Sequence, residues 1–282
     1  MYSITHFTLF QMKKLVLFTF LWITYSEAFT QNFKAVYQID HLSDLNLAKT
    51  EYGVLLITKD RSVYATENYF KKDSIFNLIH EGKMTSFQGI IEMREKGLKT
   101  DFEHLIQKKY TDSTIKTSEG ILIDNYVYQQ SLKPKWELVN ETKKINNYAC
   151  QKAITTFQGR TYVAWYSAEI PFSDGPFKFW GLPGLIVHIQ DSNNEFNFQL
   201  ISFKESKAPF PSNLNSGRKN IETSFIEFQK IREKSNSNRA DMMKSMGMDV
   251  STVRIDGKPL SQEDLRKMNR QINYIEKYPW LL

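Results

Sequence analysis

Between Gly120 and Phe203 six stretches alternate apolar with polar residues or run rich in β-branched and aromatic ones, and turn-forming residues separate them. They are Ile121 to Gln129, Trp136 to Val139, Ala149 to Phe157, Thr161 to Ser167, Leu185 to Gln190 and Glu195 to Phe203. A period of two sends successive side chains to opposite faces of a strand. Gln158-Gly159-Arg160 supplies a glycine free to take positive φ, and Asp191-Ser192-Asn193-Asn194 supplies residues that turn tightly. Connections this short join antiparallel neighbours. A chain so punctuated is expected to be mainly β (α+β), a curved antiparallel meander sheet or half-barrel with helices and at least one strongly apolar face.

The rest of the chain adds to this frame. Phe33, Ala35, Tyr37 and Ile39 recur at every second position and share one face of a strand. Val54 to Ile57 and Ser62 to Ala65 flank Lys59-Asp60-Arg61 as a hairpin. Residues 70–82 read as helical or irregular. Beyond Pro209-Phe210-Pro211 the composition turns to Lys, Arg, Glu, Asn and Met, and Ile221, Phe225, Phe228 and Ile231 fall near helical spacing, which predicts a helix on or beside the sheet. Ser261 with Asp264 three positions on has the form of a helix start, and Leu265, Met268, Ile272 and Ile275 form its apolar stripe. The expected organisation is one domain over residues 29–282, its meander core at about 120–205 and its C-terminal helices at about 217–278.

The first 28 residues point to export. Met12-Lys13-Lys14 provides a basic start, Leu15 to Ile23 an apolar run, and Ser26-Glu27-Ala28 small residues at a cleavage site, the three parts of a secretory signal peptide. No Lys or Arg occurs between Met1 and Gln11, which makes Met12 an alternative translation start. The run is shorter than the ~20 residues that span a bilayer as a helix, so the mature chain is expected to carry no transmembrane span. A periplasmic or secreted location follows. Removal of residues 1–28 lowers the net charge from +6 to +5, and the basic residues are scattered without aromatic interleaving, which gives no nucleic-acid face. Cys150 is the one cysteine, so an intramolecular disulfide is excluded, and it reads as a small buried apolar residue.

The residues for most site chemistries are wrongly spaced. Histidines at 6, 41, 80, 104 and 188 form no metal-binding pair on a helix, and no cysteine pair exists, so neither a metal nor a cofactor is expected. Ser167 or Ser173 with His188 and Asp174 could make a hydrolytic triad on paper, but no serine sits in a Gly-x-Ser-x-Gly elbow. His188 lies within an apolar strand and reads as a sheet histidine with a hydrogen-bonding partner. Gly181-Leu182-Pro183-Gly184 lacks the Lys and Ser or Thr of a phosphate loop and precedes a strand. It reads instead as a type II turn, with Pro183 presetting φ and Gly184 accepting positive φ. Gly175, Pro176, Gly181, Pro183 and Gly184 are therefore turn residues, while Trp165, Phe177, Phe179, Trp180 and Leu182 are apolar side chains that protein, ligand or partner must cover.

Gly181-Leu182-Pro183-Gly184-Leu185-Ile186 resembles the signature of the GLPGLI family of secreted proteins. The flanking Tyr148 to Ala153, Phe157 to Arg160, Ala164 to Tyr166, Glu169 to Pro171 and Gly175-Pro176 are similar to that family's pattern. The resemblance implies an envelope or secreted protein of Gram-negative bacteria, with no activity, cofactor or catalytic residue attached. A meander of long strands with helices also resembles the half-barrel of lipoprotein carriers, a likeness of fold alone. The function expected is a noncatalytic binding module for a lipid-like apolar ligand or an outer-membrane protein, with Trp165, Phe177, Phe179, Trp180 and Leu182 as its rim. A structural envelope protein without a ligand is the alternative, and a hydrolase built from dispersed residues is a third.

Overall fold

Twelve strands join in one sheet in the computed structural model, which describes residues 32–42, 48–121, 124–207, 220–237, 254–255 and 258–259. The first meander is β1 (Asn32–Leu42), β2 (Ala48–Ile57), β3 (Arg61–Thr66), β4 (His104–Lys109), β5 (Thr114–Ile121) and β6 (Asp124–Gln130). The second is β7 (Glu137–Ile145), β8 (Tyr148–Phe157), β9 (Arg160–Ser167), β10 (Leu185–Asp191) and β11 (Phe196–Ser206). β1 and β11 pair antiparallel, Val36 with Ser202 and Ile39 with Phe198, and so fuse the two meanders. β12 (Asn220–Glu222) adds to β6 in parallel at the edge. A separate two-residue pair, β13 (Arg254–Ile255) and β14 (Lys258–Pro259), lies outside the sheet.

The fold is thus mainly β with one curved open sheet, and it extends beyond the expected 120–205 core to Asn32. β4 and β5 escape a pattern search because Leu105 and Ile106 are buried on opposite faces and a lysine, Lys108, stands at a core position. Ile221 belongs to β12 and not to a helix; it packs beside the helix α3 (Phe225–Ser237), whose Phe228 meets Tyr126 and Tyr128 of β6. The expected signal peptide and the expected helix from Ser261 to Ile275 lie outside the described residues. No helix among the described residues is long and apolar enough to cross a membrane.

Alternation decides which face carries the main core. Ala35, Tyr37 and Ile39 of β1, Leu55 and Ile57 of β2, Tyr64 of β3 and Ile106 of β4 all point into it and are fully or almost fully buried. The opposite face receives α1 (Glu67–His80) through a smaller cluster of Val63, Ala65, Tyr69 and Leu105. Thr66 caps α1 by accepting the Tyr69 N–H, and a reciprocal Thr85–Gln88 capping box starts α2 (Ser86–Glu95). Gln158 and Gly159 both take positive φ, as the expected β8–β9 hairpin demands.

Candidate functional site

The aromatic segment after β9 is not a rim. Trp165, Phe177, Phe179, Trp180 and Leu182 are 0–5% exposed. Phe179 packs on Phe157, Tyr162 and Phe198, so the loop between β9 and β10 fills the core face of the sheet with its own side chains. Phe177 meets His104 edge-on, and Trp180 stacks on Tyr110. Trp165 is covered by the Lys143 ammonium, 4.0 Å from its ring centroid. The expectation of an apolar opening fails because covering these rings from inside removes more apolar surface from water than any exposed rim could.

Burying a loop obliges its polar groups to find partners. Asp174, fully buried, forms an ion pair with the equally buried Lys108 of β4 and accepts the Tyr110 hydroxyl at 2.5 Å and the Gly175 N–H at 2.7 Å. Lys108 also donates to the Gly175 carbonyl at 2.7 Å. Burial pushes the Lys108 ammonium toward its neutral form while the Asp174 carboxylate opposes this, and the Tyr110 hydroxyl is held well above its ordinary pKa by burial and by Asp174. Tyr37 donates to the Ile186 carbonyl at 2.7 Å, and the two indole N–H groups of Trp136 and Trp180 bond the carbonyls of Trp180 and Leu132. These contacts make the segment a plug keyed into the sheet.

The turn at its end also differs from expectation. Gly184 N–H donates to Leu182 O at 2.8 Å, the short bond of a γ-turn around Pro183, while Leu185 N–H reaches Ile170 O. Gly184 has φ of 152°, and a Cβ there would lie 2.2 Å from the Ser167 carbonyl oxygen. Gly181 has φ of 96°, and a Cβ at Gly175 would press on Ile186. Pro176 O accepts the Phe179 N–H in a tight turn of its own. His188 bonds the Asn197 side chain at 2.7 Å, whereas Asp174 is committed to Lys108 and Tyr110, so the paper triad is not formed.

Two surface features remain. At one end of the core face, His41 of β1 lies diagonally across from Glu51 of β2, and the loop before β4 brings Asp101 beside them. Burial opposes ionisation of Glu51, but the adjacent His41 imidazole, the Asp101 N–H and the neighbouring Thr100 outweigh it and hold its carboxyl below the usual range. A cleft of about 420 Å³ opens here, with Glu51, Asp101, Lys49 and Asn68 in its wall. Strand pairing brings His41 to Glu51, ten positions on, and the loop before β4 adds Asp101 a further fifty positions on, so spacing along the chain carries no sign of the group.

The second feature is α2. Gly89 faces α1 so closely that a Cβ would lie 2.5 Å from Ile79. At 100° per residue, Phe87 and Ile91 then point nearly opposite, and Phe87, Ile90 and Ile91 are 73%, 60% and 38% exposed. The helix turns its apolar residues outward, the reverse of ordinary amphipathic packing.

A one-sheet, mainly β protein with a plugged core face is what fold and site define together. A family model described as a protein of unknown function (Porph_ging) matches residues 156–188, a segment that runs from the end of β8 into β10 and includes the Gly181–Ile186 hexapeptide. No curated protein matches the chain. Among solved structures it is similar to PNGF-II in two crystal forms, with TM-scores of 0.53 and 0.52 and 15% identity over 73% of this chain. The match spans about a third of PNGF-II, 34% and 33% in the two forms, and at this identity it concerns fold alone. The LolA superfamily protein NE2245 from Nitrosomonas europaea aligns over 64% of this chain and 88% of its own at 9% identity, with a TM-score of only 0.27.

Proposed function

We propose that the protein is an exported, noncatalytic interaction module that docks an envelope protein through α2. The observation that carries this reading is the outward apolar face of Phe87, Ile90 and Ile91 on a helix anchored by Gly89. Side chains at i, i+3 and i+4 are the pattern by which a helix lays itself into an apolar groove, so the partner is a protein with such a groove. The choice of α2 over the sheet as the working surface follows from the plug: Phe179 and its neighbours already occupy the face on which an apolar ligand would lie. Export rests on the basic, apolar and small-residue succession within residues 1–28.

Burying a Phe or Ile side chain is worth about 1.5–3 kcal/mol. Phe87→Ser with Ile90→Ser is expected to weaken the complex at least a hundredfold, about 3 kcal/mol, while leaving the thermal transition in place. A photo-crosslinker at position 87 should capture the same protein that, once purified, binds the native chain and not the double variant. Binding to lipid vesicles that is lost with the same substitutions, or a dimer that they dissociate, would overturn the reading. Phe179→Ala serves as the contrast, since it is expected to cost about 3–5 kcal/mol of folding stability instead.

A further inference from the structure

We propose that His41, Glu51 and Asp101 bind a divalent first-row transition cation of the zinc class beside the cleft that Glu51 and Asp101 line. One Nδ1 or Nε2 atom and two carboxylate oxygens lie within 4.8 Å of one another. His41 is 5% exposed, and its Nε2 has no hydrogen-bond partner although it points at Glu51 Oε1, 3.4 Å away, and at Asp101 Oδ2, 3.9 Å away. Glu51 Oε2 is likewise buried and unpartnered. Two buried polar atoms without partners, on side chains that converge, are costly unless something sits between them.

The spacing suits a small cation. Bonds of about 2.0–2.1 Å in a tetrahedral shell place neighbouring ligand atoms about 3.4 Å apart, the His41–Glu51 separation, and the exposed Asp101 closes by about half an ångström toward His41 and from within 4.8 Å toward Glu51. The mixed imidazole and carboxylate set favours zinc over calcium or magnesium, which select oxygen. The framework is rigid where it must be. His41 is held edge-on to Phe102, 4.8 Å between centroids, and Glu51 Oε1 accepts the Asp101 N–H at 2.8 Å, which orients the carboxylate. Three protein ligands leave a fourth tetrahedral position, and two of them, Glu51 and Asp101, also line the cleft.

Lys49 marks the competitor. It stands directly across from His41 in the β1–β2 ladder, and its ammonium bonds both Asp101 oxygens at 2.7 and 3.0 Å. Its side chain is 45% exposed and can swing into solvent when a doubly charged cation takes its place. A lysine that merely stabilised an acidic pair would be missed on removal, whereas a competing lysine would be a hindrance.

Calorimetric titration of the chelator-treated full chain with zinc chloride alone tests this. One equivalent should bind, zinc should raise the melting temperature, and cobalt should give the visible absorption of a low-coordinate site. Asp101→Asn and Glu51→Gln should each weaken binding tenfold or more, and Lys49→Ala should strengthen it. Asp101 lies at the surface, so its variant keeps the test intact if Glu51→Gln does not fold. Zinc held equally well by Asp101→Asn, magnesium bound as tightly as zinc, or binding weakened by Lys49→Ala would overturn the assignment.

Discussion

Replacing Asp174 by Asn keeps the size and only one of the two acceptor oxygens that serve Tyr110 (Oδ2) and Gly175 (Oδ1), and it strands the Lys108 ammonium at a site with no solvent exposure. Removing one member of a buried ion pair costs about 3–5 kcal/mol, because the remaining charge keeps its desolvation penalty and loses its attraction. For a domain of this size each kcal/mol corresponds to about 2–4 °C, so the melting temperature should fall by about 6–20 °C. Lys108→Met together with Asp174→Asn removes both charges and should recover most of that loss. Urea unfolding followed by tryptophan fluorescence reads it directly, since Trp180 and Trp136 are bonded to the same plug. A double-mutant cycle should give a coupling of at least about 2 kcal/mol. A single-variant cost below about 1 kcal/mol, or a double variant as unstable as the sum of the two singles, would refute the view that this pair keys the loop into the sheet.

Two further outcomes follow from the same geometry. His104 is held down to about 3 by burial and by the charges of Lys178 and Arg232, so it is neutral when folded and protonates near 6.5 only when unfolded. The unfolded chain therefore binds the extra proton between those limits, and stability should fall as pH drops from about 6.5 toward 3, by about 1–2 kcal/mol at pH 5; His104→Phe should flatten that part of the pH–stability curve, and an unchanged curve would exclude His104 as its source. Gly184→Ala forces a methyl into the Ser167 carbonyl and a side chain into a φ of 152°, and it should lower the urea midpoint by more than Gly82→Ala, where nothing lies within 4 Å.

Much of the second meander was readable because its strands obey a strict period and its turns use Gly159 and Asn194 at positive φ. β4 was not, because Lys108 occupies a core position that only the distant Asp174 makes tolerable. The plug was legible as an accumulation of apolar rings, yet their covering depends on Phe157, Tyr162 and Phe198, which come from three different strands. Likewise His41 and Glu51 meet through a diagonal of the β1–β2 ladder, and no spacing along the chain encodes the approach of Asp101. α2 shows a further limit: the helical reading stops at residue 82 and misses Ser86–Glu95, and Gly89, by its contact with α1, decides which way that helix points.

The pairing of β1 with β11 has a consequence in time. The strand made first finds its second neighbour only when almost the whole second meander has been delivered, and Tyr37 waits across 149 positions for the Ile186 carbonyl. Until then β1 is an open edge with one apolar flank, and closing so distant a contact carries a large loop entropy. Maturation of the sheet is expected to be slow and late, with the growing chain held in an unfinished state that sticks to its own kind if left waiting.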